Sequence, residues 1–295
     1  MSFDNAYEAL GESTDDSQWA FGTGFDDPLS GVDTTVPSGM DGADLAAYCL
    51  MLGDDALIMS HRLQEWCTNA PELEDEVAIA NIGLDLLGQA RLLLARAGKA
   101  DGSDRDEDSY AYFRDAREFR NVRLSEAGGG HFGDLIARLL VFSTWRLALW
   151  QRLASADPAS ADPASADPVL AAIAAKGVKE VTYHRDYAAQ WTVRLGDGTD
   201  LSHERMQAGL DTVWPLVGEL FAPHEIEQRV GVDPAELREE FDGVLAQVLS
   251  AATLRRPNVA ASSRALGRDG NHTEELAVLL EELQGVARAH PGATW

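Results

Sequence analysis

Four groups of polar residues stand where a helical protein could do metal chemistry. His61 and Glu65 are four apart, Asn81, Asp85 and Gln89 form a stripe at fourfold spacing, Asp134 opens an apolar run, and Glu180 and His184 are again four apart. A carboxylate-bridged di-iron centre needs such groups turned inward from four long helices. It takes a Glu from each of two helices and a Glu-x-x-His from each of two others, because residues i and i+3 share a face and can grip one ion. That requirement is not met. No glutamate is followed three places later by histidine; Glu180 has Tyr183 at that distance and His184 one place beyond. Asp200 and His203, and Asp269 and His272, have the spacing but fall in expected turns. Glu65, Asp85, Glu180 and His184 are therefore read as vestigial-site candidates. Their expected role is a buried polar network that fixes helix register. A working metal site with this variant set is the alternative.

The elements that must position these groups are helices. Leu45, Tyr48, Cys49, Leu52, Ala56, Met59, Leu63 and Trp66 step by threes and fours, the mark of an amphipathic helix. Asn69-Ala-Pro breaks it, and Ile79, Ile82, Leu86, Leu87, Ala90 and Leu94 predict a second helix that folds back on the first. A short helix is expected over 109–120. Gly128-Gly129-Gly130 then introduces a third long helix through Phe132, Leu135, Ile136, Leu139, Phe142, Trp145 and Leu149. A fourth runs over 169–195 to the stop Gly196-Asp197-Gly198, and a fifth, capped by Ser202 and kinked at Pro215, follows. Helices over about 233–254 and 273–289 flank the loop 255–271. Trp66, Trp145, Trp150, Trp191 and Trp214 fall at helical spacing and belong to the core or a subunit interface. The fold class is all-α, a bundle of at least four long helices with additional C-terminal helices.

Two segments stand outside this pattern. Residues 1–40, rich in Asp, Ser, Gly and Thr, read as an acidic flexible tail with Trp19, Phe21 and Phe25 as its only anchors. At 154–168 the chain repeats ASADP three times, an expanded loop between the third and fourth helices. The domain proper is 41–295.

Composition limits the function. The 295 residues carry 24 Lys+Arg against 49 Asp+Glu, a formal charge of −25, and only three cations are lysine. Nucleic acid is excluded as a partner because its phosphates need a basic footprint. Dense carboxylate with little lysine suits a high-salt cytoplasm, so a halophilic source and cytoplasmic location are expected. No signal peptide or membrane span is read from the sequence. Cys49 and Cys67 are too few for a disulfide framework or a zinc site. Gly-x-Ser-x-Gly, Gly-x-x-x-x-Gly-Lys and strand-linked Gly-x-Gly-x-x-Gly are all absent. Arg229, an isolated cation in an acidic stretch, is a candidate contact for a phosphorylated ligand.

The runs YCLMLGDDALIMSHRLQEWC (48–67), APELEDEVAIANIGLDLLGQAR (70–91), KEVTYH (179–184), RLGDGTDLS (194–202) and the end HTEEL…PGATW resemble the PaaC family. These are the non-catalytic ferritin-like subunits of phenylacetyl-CoA 1,2-epoxidase complexes, and the likeness covers about 45–295. The resemblance implies a ferritin-like fold and a scaffold role in a monooxygenase that epoxidises the ring of phenylacetyl-CoA with O2 and NADPH in aerobic phenylacetate breakdown. It implies a homologous catalytic di-iron subunit (PaaA-like), a small subunit (PaaB-like) and a reductase carrying FAD and an iron–sulfur cluster (PaaE-like). No cofactor and no catalytic residue is expected in this chain. A contact with the CoA moiety is expected where the second helix starts, at Glu74, Asp75, Glu76 and Val77, whose backbone N–H groups can face phosphate although the acidic side chains oppose it. The rival readings are a self-sufficient di-iron oxygenase and a ferritin-like binding protein with no oxygenase role.

Overall fold

The computed structural model describes residues 29, 31–103, 105–155, 167–260 and 262–293. Among them all regular structure is helical, and the architecture is the all-α, ferritin-like bundle expected. Helix α1 (Gly42–Gln64) starts at Asp41, whose carboxylate accepts the N–H of Ala43 at 2.7 Å. Helix α2 (Leu73–Ala100) returns antiparallel along it. The two approach closely where side chains are small: a Cβ on Gly53 would meet Leu94, and one on Gly42 would overlap the Ala100 carbonyl. Ser60 Oγ donates to the Gly83 carbonyl at 2.6 Å and fixes the register.

Two short helices, α3 (Glu107–Tyr112) and α4 (Arg123–Glu126), connect this hairpin to the second. The second hairpin pairs α5 (Phe132–Ala154) with α6 (Pro168–Gly196), and α6 also lies against α2. Asp167 caps α6 through the Leu170 N–H at 2.8 Å and Pro168 stands in its first turn, where a missing N–H costs nothing. Helix α7 (Asp200–Val217) packs on α5, with Gly133 and Gly209 allowing backbone-to-backbone approach. The short α8 (Glu225–Arg229), α9 (Arg238–Ala251) and α10 (Glu274–Ala289) complete the C-terminal part. Trp66, Phe132 and Trp191 form an edge-to-face series at 5.9 and 5.0 Å that joins the turn after α1 to α5 and α6. Helix α2 is long and apolar enough by composition to cross a membrane, but here it packs between α1 and α6.

Three local expectations need correction. The helix expected over 109–120 ends at Tyr112, and only a 3-10 turn at Ala116–Glu118 follows. The chain bends there so that Arg114 can turn inward to Asp54. The cap of α7 is Thr199; Ser202 is its third residue and returns the bond to the Thr199 N–H at 2.9 Å in a capping box. Val32, Val36 and Met40 of the segment grouped with the tail lie against the core, and the Thr34 carbonyl accepts from buried Arg96 at 2.6 Å. Residues 1–28 of that tail, with Trp19, Phe21 and Phe25, and 156–166 of the ASADP loop are outside the described residues.

Charge inside the molecule ties its segments together. Asp54 and Asp55 in the middle of α1 are fully buried, paired with Arg114 and Arg268 respectively. Arg96 of α2 pairs with Asp167 at the start of α6. Glu126 at the end of α4 accepts from Asn121, from Thr273 N and Oγ1, and pairs with His272 at 2.6 Å. These contacts bind the loop before α10 to α1 and α4.

Candidate functional site

The centre of the bundle is built around a guanidinium. Arg146 on α5 is fully buried; its Nε donates to Gln89 Oε1 at 3.0 Å and its Nη2 to the Leu52 carbonyl at 3.2 Å. The charge lies 4.6 Å from the Trp150 ring centroid, and the Trp150 indole N–H also donates to Gln89 Oε1 at 3.2 Å. Gln89 passes the polarity on through its amide N–H to Glu180 Oε2 at 2.9 Å. Glu180 in turn holds Lys176, one turn earlier on α6. Burial pushes the Arg146 guanidinium down to about 10, with partial relief from Asp55, so it remains cationic at neutral pH.

The other sequence candidates lie around this centre without converging on it. His184 of α6 is buried and its Nε2 is 3.0 Å from Asp85 Oδ2 of α2. Asp75 accepts from both Tyr187 Oη and Trp191 Nε1 at 2.9 Å, and burial together with that carboxylate raises the Tyr187 phenol. Glu65 pairs with Arg62 at 2.6 Å at the end of α1. His61 faces Glu282 at 3.8 Å, Asn81 is exposed, and Asp134 accepts the His131 N–H at 2.6 Å as part of the α5 cap. The structure thus joins Asp85 to His184 and Gln89 to Glu180, and leaves Glu65 apart from both.

The residues expected to touch CoA separate as well. Glu74 and Val77 are exposed, Glu76 is half-buried and Asp75 is turned inward, all at the start of α2. Arg229 donates to Asp44 at 2.8 Å, and so sits at the start of α1, beside the far end of α2. A helix of 28 residues spans roughly 40 Å, so no single phosphate could meet both.

A di-iron centre does not fit the donors present. Such a site is held by anionic and imidazole ligands, whereas the inward groups shared by α2, α5 and α6 are an amide, an indole N–H and two cations around one carboxylate. Among the described residues no group of three or more His, Cys, Asp or Glu side chains could hold a metal ion. Sequence reasoning missed Arg146, although a signal existed: it is a lone charge inside the apolar run 139–150. It also missed Asp54, Asp55, Glu126, Glu219 and Arg268, whose partners are remote in sequence.

Fold and site together define a ferritin-like bundle whose central position is occupied by an arginine-centred hydrogen-bond network. Comparison with known proteins gives the family: the phenylacetic acid catabolic protein model matches residues 33–295, and the chain belongs to that family. The chain is 43% identical over 257 residues to one of the subunits of the 1,2-phenylacetyl-CoA epoxidase of Escherichia coli strain K12, covering 85% of this chain and 99% of that protein.

Proposed function

We propose that this chain is the structural, non-catalytic subunit of a multicomponent monooxygenase that epoxidises the ring of phenylacetyl-CoA with O2 and NADPH. In this reading the di-iron site lies in a homologous PaaA-like partner. A PaaB-like small subunit and a PaaE-like reductase with FAD and an iron–sulfur cluster complete the assembly. The Escherichia coli relative is itself one subunit of a 1,2-phenylacetyl-CoA epoxidase, which supports the reaction and the existence of partner subunits. The observation that carries the scaffold role is Arg146. A buried cation held by Gln89 at the centre of the bundle opposes the approach of iron, while its bonds to α1 and α2 keep the helices at fixed spacing. A rigid bundle of this kind can hold the helices of a partner, and therefore its ligands, in place. Displacement of reacting groups by about an ångström is costly in rate.

The test is iron content. The chain expressed with iron available and purified alone in molar KCl should carry essentially no iron, while its complex with the catalytic subunit should. A di-iron stoichiometry in the isolated chain would overturn the reading. Replacing Glu180 by Gln should leave turnover of the assembled complex intact; lost turnover with normal assembly and normal partner iron would also count against it. The self-sufficient oxygenase built on Glu65, Asp85, Glu180 and His184 has no observation in its favour, since these four do not converge. We further propose a cytoplasmic, high-salt setting, which the −25 charge and the scarcity of lysine support.

A further inference from the structure

A string of oxidisable side chains runs along α6. Tyr183, Tyr187 and Trp191 are spaced by four, so they stand about one turn apart on one side of the helix. Tyr183 is 50% exposed, and its ring centroid lies 6.5 Å from that of Tyr187. Tyr187 and Trp191 are joined through the buried carboxylate of Asp75 on α2: Tyr187 Oη and Trp191 Nε1 both donate to Asp75 Oδ1 at 2.9 Å. Beyond Trp191 the rings of Phe132 and Trp66 continue the edge-to-face contact at 5.0 and 5.9 Å.

This arrangement suits one-electron chemistry. A phenol gives up an electron readily only when its proton leaves as well, because the oxidised phenol is a strong acid. A carboxylate already hydrogen-bonded to the hydroxyl takes that proton without waiting for water. Burial and Asp75 raise the Tyr187 phenol, so it keeps its proton until it is oxidised. The guanidinium of Arg194 lies 5.3 Å from the Trp191 ring centroid, and its charge opposes a positive hole on that indole. A hole that reaches Trp191 is therefore driven on to Tyr187. Tyr110 provides the contrast: its hydroxyl reaches Asp101 only at 3.3 Å, and the Arg105 and Arg114 guanidinium groups lie 4.5 and 5.5 Å from its ring, which disfavours oxidation.

We propose that Tyr187, with Asp75 as its proton acceptor, is a one-electron redox site, and that Trp191 and Tyr183 relay oxidising equivalents through it to the surface. A one-electron oxidant of the kind that O2 chemistry generates takes one electron from Tyr187 by way of Trp191. The hydroxyl proton passes along the hydrogen bond to Asp75 Oδ1, leaving a neutral phenoxyl radical beside a neutral carboxylic acid. An electron from Tyr183 and the proton from Asp75 restore Tyr187, while Tyr183 releases its own proton to water. A soluble thiol then returns a hydrogen atom to Tyr183 and becomes a thiyl radical. The relay goes beyond the scaffold reading and requires no iron in this chain. To test it, the intact chain is photo-oxidised alone with tris(bipyridine)ruthenium and a cobalt(III) ammine as electron acceptor, and followed by transient absorption and electron paramagnetic resonance. The parent chain should give a tyrosyl radical. Tyr187→Phe should lose it and Tyr110→Phe should keep it. Asp75→Asn, which retains an acceptor oxygen but is too weak a base, should form it about a hundredfold more slowly. Tyr183→Phe, at an exposed position that the fold does not depend on, should lengthen the lifetime of the radical. A parent chain without a tyrosyl radical overturns the proposal, as does a radical that survives in Tyr187→Phe, an unchanged rate in Asp75→Asn or an unchanged lifetime in Tyr183→Phe. Each of these outcomes leaves the scaffold reading standing, because neither iron nor a partner subunit enters the measurement.

Discussion

Two buried arginines in this protein should respond very unequally to the same substitution. Arg146 and Arg268 are both almost fully buried. Arg268 pairs with Asp55 through two parallel bonds of 2.8 Å and also donates to the Arg120 and Met51 carbonyls at 2.7 and 3.1 Å. Burial alone would lower its guanidinium, but Asp55, with Glu227 and Glu219, outweighs that and raises it. Arg146 makes no ion pair among the described residues, and its Nη1 has no hydrogen-bond partner. A fall from the ordinary 12.5 to about 10 corresponds to roughly 3 kcal/mol of cost for keeping that charge inside. Its two hydrogen bonds and the contact with Trp150 return about 3–4 kcal/mol, so the two sides nearly cancel. Arg146→Met, similar in length and apolar, should therefore change stability by no more than about 1 kcal/mol in either direction. Arg268→Met strands the Asp55 carboxylate with only the Val122 N–H at 2.7 Å and should cost about 3–5 kcal/mol. For a chain of this size those figures translate to about 2–4 °C for Arg146→Met and roughly 6–20 °C for Arg268→Met. Calorimetry of both variants and the parent in one buffer is the assay. Combining Arg268→Met with Asp55→Leu should recover much of the loss, short of about 1–3 kcal/mol for the Val122 N–H left unpaired. A loss for Arg146→Met as large as that for Arg268→Met would refute the reasoning, because an unpaired buried charge would then be as stabilising as a paired one.

The remaining predictions concern solution conditions. Burial pushes the Glu219 carboxyl up to about 7 despite the N–H bonds it accepts from Gly267 and Arg123. The folded protein therefore binds this proton more tightly than the unfolded chain does. The contribution of Glu219 to stability is fully present below the unfolded value near 4.5 and declines as pH rises to about 7, so Glu219→Gln should flatten the stability profile across that interval. An unchanged slope in urea titrations between pH 5 and 8 would show that Glu219 is ionised throughout. Removal of salt should unfold the protein, since the repulsion among its 49 acidic residues is then unscreened. Circular dichroism that stays constant from molar KCl to dilute buffer would defeat the halophile proposal.

How far the sequence could be read follows from the range of each interaction. The helical phase of 45–66 and 79–94 is local, carried by side chains three and four apart, and the residues that this phase puts inside are buried, Leu87 only partly. The missing Glu-x-x-His is equally local, so the mismatch with a di-iron ligand set was legible from spacing alone. Helix ends were less legible: the stop at Tyr112 depends on Arg114 reaching Asp54, sixty residues away, which no local propensity encodes. The use made of the polar residues was legible only in part. Spacing put Asp85, Gln89, Glu180 and His184 on inward faces, but which carboxylate meets which donor depends on how α2 and α6 slide past one another, and that is set by packing over their whole length. Arg146 illustrates the limit. A lone arginine in an apolar helix can point outward and reach water or inward and reorganise the core, and only the positions of Gln89, Trp150 and the Leu52 carbonyl decide between them. The pairs Asp55 with Arg268 and Glu126 with His272 span 213 and 146 residues, and charges so far apart become partners only when the fold removes the water between them. The residues by themselves determined an all-α bundle without the di-iron ligand pattern; tertiary packing decided what occupies its centre.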